Sequence, residues 1–132
     1  MRQVIASSQA PKPVGPYSQA VAASGAFVFL SGQLGLDPAT GQMAGGGDVA
    51  QEAEQVLKNL QAVVEAAGSR LERVVKTTVF LMDMNDFAAF NAVYARFFPG
   101  DAPPARSTFQ VAKLPLGAKV EVECIALLGH AG

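Results

Sequence analysis

The chain has 132 residues, half of them hydrophobic, which is the size and composition of one domain with a substantial core. Its formal net charge is -1 and its lysines and arginines form no basic run, so we predict no nucleic-acid partner. Cys124 is the only cysteine, which excludes an internal disulfide or a cysteine-rich metal site and favours a reducing compartment. The sequence also lacks a signal peptide and an apolar run of membrane length. It therefore predicts a cytoplasmic protein with no membrane partner and one domain over residues 1–132.

In the first part of the chain, short strands alternate with loops rich in proline and glycine. Strands are predicted over residues 3–6, 18–23 and 26–31. The third, AFVFLS, is apolar on both faces, which indicates a central strand that is covered on both sides. Between the first two strands, the prolines of APKPVGPY exclude a helix and place Tyr17 on a loop. A loop tyrosine ordinarily packs its ring and hydrogen-bonds its hydroxyl.

Two helices are predicted from apolar periodicity. The first begins after Asp48 as N-cap, with Gln51 as its capping-box partner, and ends at Gly68. Its inward stripe is Ala53, Val56, Leu57, Leu60, Val63, Val64 and Ala67. The second spans Asn85 to Phe98, with Phe87, Phe90, Val93, Tyr94 and Phe97 inward. Neither helix offers paired metal ligands, and the only histidine, His130, lies in the C-terminal tail, so we predict no metal.

Three further strands complete the predicted fold. They cover residues 74–82, 105–112 and 119–128. Strands, helix, strand, helix and two strands predict an α+β domain with a single mixed β-sheet and both helices on one face. Because a sheet that is apolar on both sides does not stay exposed to water, we expect another copy of the chain to cover its second face.

Arg106 and Glu121 lie on the last two strands. If the LPLG connection makes these strands an antiparallel pair centred near Lys113 and Leu114, Arg106 lies opposite Glu121, whereas a slip of one residue would place them on different faces. One interpretation is a cross-strand ion pair on a wet surface. The other is a small site in which Arg106 binds a carboxylate bidentately and Glu121 binds water or transfers a proton. The spacing is consistent with both.

The sequence around these residues, PARSTFQVAKLP followed by KVEVECIAL, resembles the signature of the RidA/YjgF family of enamine/imine deaminases. The resemblance continues through APKPVGPYSQAV, FLSGQLGLDPATG, EQVLKNLQAVVEAAGS and VVKTTVFLMDMNDFAAFNAVYARFF. It implies a chorismate-mutase-like fold and a homotrimer with sites between subunits. It also implies hydrolysis of 2-imino acids, formed from 2-aminoacrylate-type enamines, to 2-oxo acids and ammonia without a cofactor.

The resemblance assigns further residues to the site. It implies that Tyr17 and Ser31 face the ligand, that Gly32 lets a backbone amide approach closely, and that Asn91 is a buried polar support. From the residues alone, Ser31 could equally end a strand and Asn91 could bond nearby backbone. Many deaminases of the family carry cysteine where this chain has Thr108, whose hydroxyl can still bond a ligand.

The implied chemistry assigns a role to each group. Arg106 binds the carboxylate of the imino acid, and Glu121 positions or deprotonates the attacking water and returns the proton. Tyr17, Ser31 and Thr108 bond the ligand or the water. Two other functions are considered. One is non-catalytic binding of small 2-oxo or amino acids through Arg106, and the other is the endoribonuclease or translation-inhibitor activity also described for the family. The absence of a basic stripe disfavours the second.

Overall fold

The computed structural model describes residues 1–129, so His130 lies outside the described part. Its elements are β1 (Arg2–Ile5), β2 (Ala20–Ala23), β3 (Phe27–Gln33), α1 (Val49–Ala66), β4 (Val74–Leu81), α2 (Phe87–Phe97), β5 (Ala105–Gln110) and β6 (Val120–Leu127). All eight were predicted, with bounds within two residues of those observed. Within residues 1–129, no helix combines the length and apolar character needed to span a bilayer.

Four strands form a mixed sheet in the order β3-β6-β4-β5. The pair β4 and β5 is parallel because α2 carries the chain back between them, and the pairs with β6 are antiparallel. Both helices pack on this sheet, which confirms the predicted α+β class. The first two strands, β1 and β2, pair only with each other and form a separate two-stranded sheet.

Helix α1 begins as predicted, with one difference at its cap. The carboxylate of Asp48 accepts a hydrogen bond from the backbone N–H of Ala50, which confirms the N-cap. The backbone N–H of Asp48 donates to the carbonyl of Gly45, so the predicted capping-box role of Gln51 is wrong. The glycine turn before the helix already satisfies that donor.

One side chain of the predicted α1 stripe does not face the core. Ala53, Val56, Leu57, Leu60 and Val64 are buried, but Val63 is 39% exposed. A residue directly before a central stripe position lies at the margin of the stripe, because successive residues turn by about 100° around a helix. Val63 instead lines a groove with Leu34 and Leu36 of the β3–α1 loop.

Only one face of the sheet is covered within a single chain. The side chains of β4 and β6 that face the helices, such as Val79 and Val122, are fully buried. On the other face, Phe29 of β3 is 73% exposed and Phe109 of β5 is 52% exposed. The prediction that AFVFLS is covered on both sides is therefore wrong for the isolated chain, and the coverage of the second face by another copy stays a prediction.

The predicted hairpin between the last two strands does not exist. Strand β4 lies between β5 and β6, with Thr77 paired to Arg106 on one side and to Cys124 on the other. The segment after β5 crosses the end of β4, where Val111 donates to the carbonyl of Leu81 and Met82 to that of Lys119. The segment that joins β5 to β6 is longer than a hairpin turn, so its LPLG sequence does not indicate that the two strands are neighbours.

Candidate active site

Arg106 is buried among aromatic rings on the helix-facing side of the sheet. Its side chain is 9% exposed, and the guanidinium carbon lies 4.8 Å from the ring centroid of Tyr94 and 5.3 Å from that of Tyr17. The rings of Phe87 and Phe90 lie within 6.0 Å. Such contacts stabilise a cation but supply no hydrogen-bond acceptor. Arg106 is therefore no part of a wet surface ion pair, which removes the first interpretation of its pattern.

The charge of Arg106 has no anionic partner within residues 1–129, where the ion pairs are Arg70 with Glu72 and Arg96 with Glu54. Nη1 of Arg106 is buried and has no hydrogen-bond partner in the same part of the chain. Burial lowers the pKa of Arg106, while the nearby Tyr94 and Tyr17 act in the opposite direction. An arginine stays protonated at neutral pH, so the site holds a partly desolvated cation that can bind an anion.

Two further polar atoms near Arg106 are buried and unsatisfied by residues 1–129. They are Oδ1 of Asn91 on α2 and Oγ1 of Thr108 on β5. Thr108 and Arg106 line a cavity of about 220 Å³ together with Val14, Tyr17, Met84 and Phe87. Because buried polar groups are ordinarily hydrogen-bonded, unsatisfied ones on two residues that line the cavity, Arg106 and Thr108, indicate a small polar ligand.

The loop that carries Tyr17 is fastened over the cavity. The backbone N–H of Val14 donates to the Tyr17 hydroxyl over 3.1 Å, and the N–H of Ser18 donates to the carbonyl of Pro104 just before β5. At Gly15 an added Cβ would lie 3.2 Å from both Nη2 of Arg106 and Nδ2 of Asn91. A glycine here lets the loop pack closely against both side chains.

Glu121, Ser31 and Gly32 form a second cluster. Gly32 lies at the irregularity of β3, and a Cβ added there would lie 2.7 Å from Cδ of Glu121, so the glutamate side chain occupies the space over this glycine. Ser31 beside it is exposed. Within residues 1–129 Glu121 forms no ion pair. Its carboxylate is thus free to act on a ligand or a water.

The two clusters lie on opposite faces of the sheet in one chain. Arg106 pairs with Thr77, and Thr77 and its other partner Cys124 are buried under the helices. Glu121 pairs with Phe80, on the alternate face. The prediction that Arg106 lies opposite Glu121 is wrong for this reason. The structure brings Arg106, Tyr17, Asn91 and Thr108 together, and it brings Ser31, Gly32 and Glu121 together elsewhere.

The likeness of this chain to known proteins covers nearly its whole length. A family model described as Endoribonuclease L-PSP matches residues 7–128. The chain belongs to this family, the RidA/YjgF family. The 2-iminobutanoate/2-iminopropanoate deaminase of Mus musculus is 50% identical over 129 residues, which cover 98% of this chain and 93% of that protein. A RutC family protein of Synechocystis is 54% identical over 126 residues, which cover 96% of this chain and 96% of that protein. The structure of E. coli TdcF with bound serine is 42% identical with a TM-score of 0.73, covering 95% of this chain and 98% of that one.

Sequence reasoning missed part of the site of this RidA/YjgF protein. Phe87, Phe90 and Tyr94 were assigned to the core, yet their rings also surround the guanidinium of Arg106. Helical spacing places these aromatics on one face but does not say that a cation lies beneath it. Met84, in the short turn before α2, was not singled out either, because nothing in its local sequence marks it as lining a cavity.

Within residues 1–129, no three His, Cys, Asp or Glu side chains are grouped so as to hold a metal ion. Cys124 is buried, and burial raises the pKa of its thiol to about 12, with Glu123 adding to the shift. A thiol with so high a pKa is protonated at neutral pH and is a poor nucleophile.

Proposed function

We propose that this protein hydrolyses 2-imino acids to 2-oxo acids and ammonia. The observation that carries the proposal is the buried guanidinium of Arg106, whose Nη1 has no partner within residues 1–129. A carboxylate matches the donor fork of arginine and offsets the cost of burying its charge. Relatives named 2-iminobutanoate/2-iminopropanoate deaminase at 50% and 46% identity support this reaction class.

In this mechanism, binding and proton transfer are separate tasks. Arg106 binds the substrate carboxylate, while Thr108 and Asn91 form hydrogen bonds with the imine group of the substrate and with water. Glu121 takes a proton from water as the water oxygen bonds to the C=N carbon and returns that proton to the nitrogen, which gives a tetrahedral carbinolamine. Glu121 then takes the hydroxyl proton as C=O forms and passes it to the nitrogen as the C–N bond breaks, so that ammonia leaves. Tyr17 and Ser31 complete the polar contacts.

Because Arg106 and Glu121 lie on opposite faces of one sheet, we propose that each complete site is formed by two copies of the chain. One copy supplies Arg106, Tyr17, Asn91 and Thr108, and a neighbour supplies Ser31, Gly32 and Glu121. The uncovered face supports this, since it carries both Glu121 and the exposed rings of Phe29 and Phe109. The proposed assembly is the homotrimer of the family resemblance.

The experiment is ammonia release from 2-aminoacrylate generated enzymatically, with and without the protein. The wild-type protein should release ammonia faster than the spontaneous reaction. Arg106→Lys keeps the charge but loses the planar fork, and each charge-assisted bond is worth about 1.5–3 kcal/mol. We therefore expect kcat/KM to fall by roughly 100-fold or more. Arg96→Lys, at an exposed arginine of α2, is the matched control and should leave kcat/KM unchanged.

Two outcomes would redirect the assignment. If wild-type protein binds a 2-oxo acid but adds nothing to spontaneous ammonia release, it is a binder of small acids. If Arg106→Lys retains full activity, the carboxylate binds elsewhere. Incubation of the same purified protein with RNA tests the activity in the family description. We expect no cleavage because, among residues 1–129, the buried Arg106 is the only cation that lines the cavity.

A further inference from the structure

Glu52, in the first turn of α1, is a buried carboxylate that no step of the proposed reaction uses. Its side chain is 2% exposed, and within residues 1–129 it has no basic partner. Oε2 accepts the backbone N–H of Lys119 over 2.7 Å and that of Val120 over 3.2 Å. A carboxylate in the first turn of a helix is also stabilised by the helix dipole. Glu52 thus joins the start of α1 to the start of β6.

The residue that follows Val120 is Glu121. The segment before β6 is a turn that contains Leu116 with a positive φ of 58°. The start of β6 is held by Glu52 and by the hydrogen bond from the backbone N–H of Met82 to the carbonyl of Lys119. Gly32 limits the other side of the Glu121 side chain, because the glutamate lies in the space that a Cβ would take. The Glu121 side chain thus lies beside Gly32 and one residue after an amide that Glu52 accepts.

The surroundings of Glu52 leave little room for it to move. At Gly35 an added Cβ would lie 2.8 Å from Cγ of Glu52, and at Gly45 it would lie 2.9 Å from the backbone nitrogen of Glu52. The loop after β3 therefore packs closely on Glu52. A side chain enclosed in this way holds the amides of Lys119 and Val120 in a fixed place.

We propose that Glu52 is a positioning residue for Glu121: by accepting the amides of Lys119 and Val120, it sets where the Glu121 carboxylate meets substrate and water. This inference rests on the proposed role of Glu121. A general stabilising role would affect folding alone, whereas positioning affects turnover through Glu121. Displacement of a reacting group by about 1 Å can lower a rate by as much as 100-fold.

The test compares two replacements of Glu52 that differ in one property. Glu52→Gln keeps the length and an accepting oxygen, and we expect it to retain most of kcat. Glu52→Met has a similar length without that oxygen, so we expect kcat to fall by about 10-fold to 100-fold while KM changes less than two-fold, since Arg106 binds the carboxylate. Glu65→Met, at an exposed glutamate of the same helix, controls for the loss of charge and should leave kcat unchanged.

A double-mutant cycle with Glu121→Gln separates positioning from a general structural effect. If Glu52 acts through Glu121, Glu52→Met should lower kcat in wild-type protein and have no further effect in Glu121→Gln. An equal fall in both backgrounds would overturn the inference, as would wild-type kcat in Glu52→Met. Faster hydrogen exchange of the Lys119 and Val120 amides in Glu52→Met, measured by NMR, should accompany the loss.

Three other outcomes have distinct interpretations. If Glu52→Met does not fold, Glu52→Asp keeps the charge but withdraws the carboxylate by one methylene, and the same dependence on Glu121 is expected. If Glu121→Gln alone is fully active, the proposed role of Glu121 has failed and the inference falls with it. If Glu121→Gln is inactive and Glu52→Met and Glu52→Asp are both fully active, only the inference about Glu52 has failed.

Discussion

Thr77 and Thr108 are two buried threonine hydroxyls near Arg106 that differ in one respect. The hydroxyl of Thr77 shares a hydrogen bond of 2.8 Å with that of Tyr94, whereas Oγ1 of Thr108 has no partner within residues 1–129. An unsatisfied buried hydroxyl costs about 1–3 kcal/mol and therefore calls for an explanation. In the proposed function, the explanation for Thr108 is contact with a ligand.

Valine at each position tests this difference. Thr108→Val should raise the free energy of unfolding by about 1 kcal/mol, because it removes an unsatisfied buried group, and should weaken substrate binding. Thr77→Val should lower the free energy of unfolding by about 1–3 kcal/mol, because it leaves the Tyr94 hydroxyl unpaired. Urea denaturation and KM provide the two measurements. Destabilisation by Thr108→Val with unchanged KM would show that its hydroxyl has a structural role.

At the scale of the elements, the strands and helices follow from sequence patterns, while their pairing does not. Periodicity of two or 3.6 residues, together with β-branched and apolar runs between glycine and proline breaks, located all eight elements. It carries no information on which strands are neighbours. The pairing of β5 with β4 instead of β6 is set by α2, whose aromatic face packs against the sheet beside Arg106. This nonlocal packing decided on which face Arg106 lies.

The residues of the candidate site were also only partly predictable from the sequence. Arg106 and Glu121 could be chosen from their chemistry and from the family resemblance, since a charged residue in an apolar strand stands out. The rings around Arg106 could not, because Phe87, Phe90 and Tyr94 have the spacing of ordinary core residues. Glu52 was equally invisible, because a glutamate near a helix N-terminus is common and its partners are 67 and 68 residues away.

The irregular end of β3 provides a prediction at the level of one element. Gly32→Ala would place a methyl group where the Glu121 side chain lies, 2.7 Å from Cδ. The carboxylate must then move, so we expect kcat to fall by about 10-fold or more while KM stays near its wild-type value. Gly32→Ala in the Glu121→Gln background is the control, because the added methyl group should cause no further loss of kcat once the reactive carboxylate has been replaced. A fully active Gly32→Ala would place the reactive carboxylate elsewhere.

At the scale of the whole molecule, the separation of Arg106 and Glu121 onto two faces leads to the sharpest test of the proposed assembly. If every site combines Arg106 of one copy with Glu121 of a neighbour, Arg106→Ala and Glu121→Gln inactivate the same sites through different subunits. Each variant alone has no complete site. A mixed trimer has one wherever a subunit with intact Arg106 adjoins, on the correct side, a subunit with intact Glu121.

The expected recovery follows from random assembly. In an equal mixture, a site has intact Arg106 with probability one half and receives intact Glu121 from its neighbour with probability one half, so about a quarter of the sites are active. The two variants should be unfolded together, refolded together and assayed for ammonia release, with each variant refolded alone as the control. Sedimentation should show the same trimer in all three samples. Activity near a quarter of wild type requires sites shared between copies, whereas sites built within single chains would give no recovery at any mixing ratio.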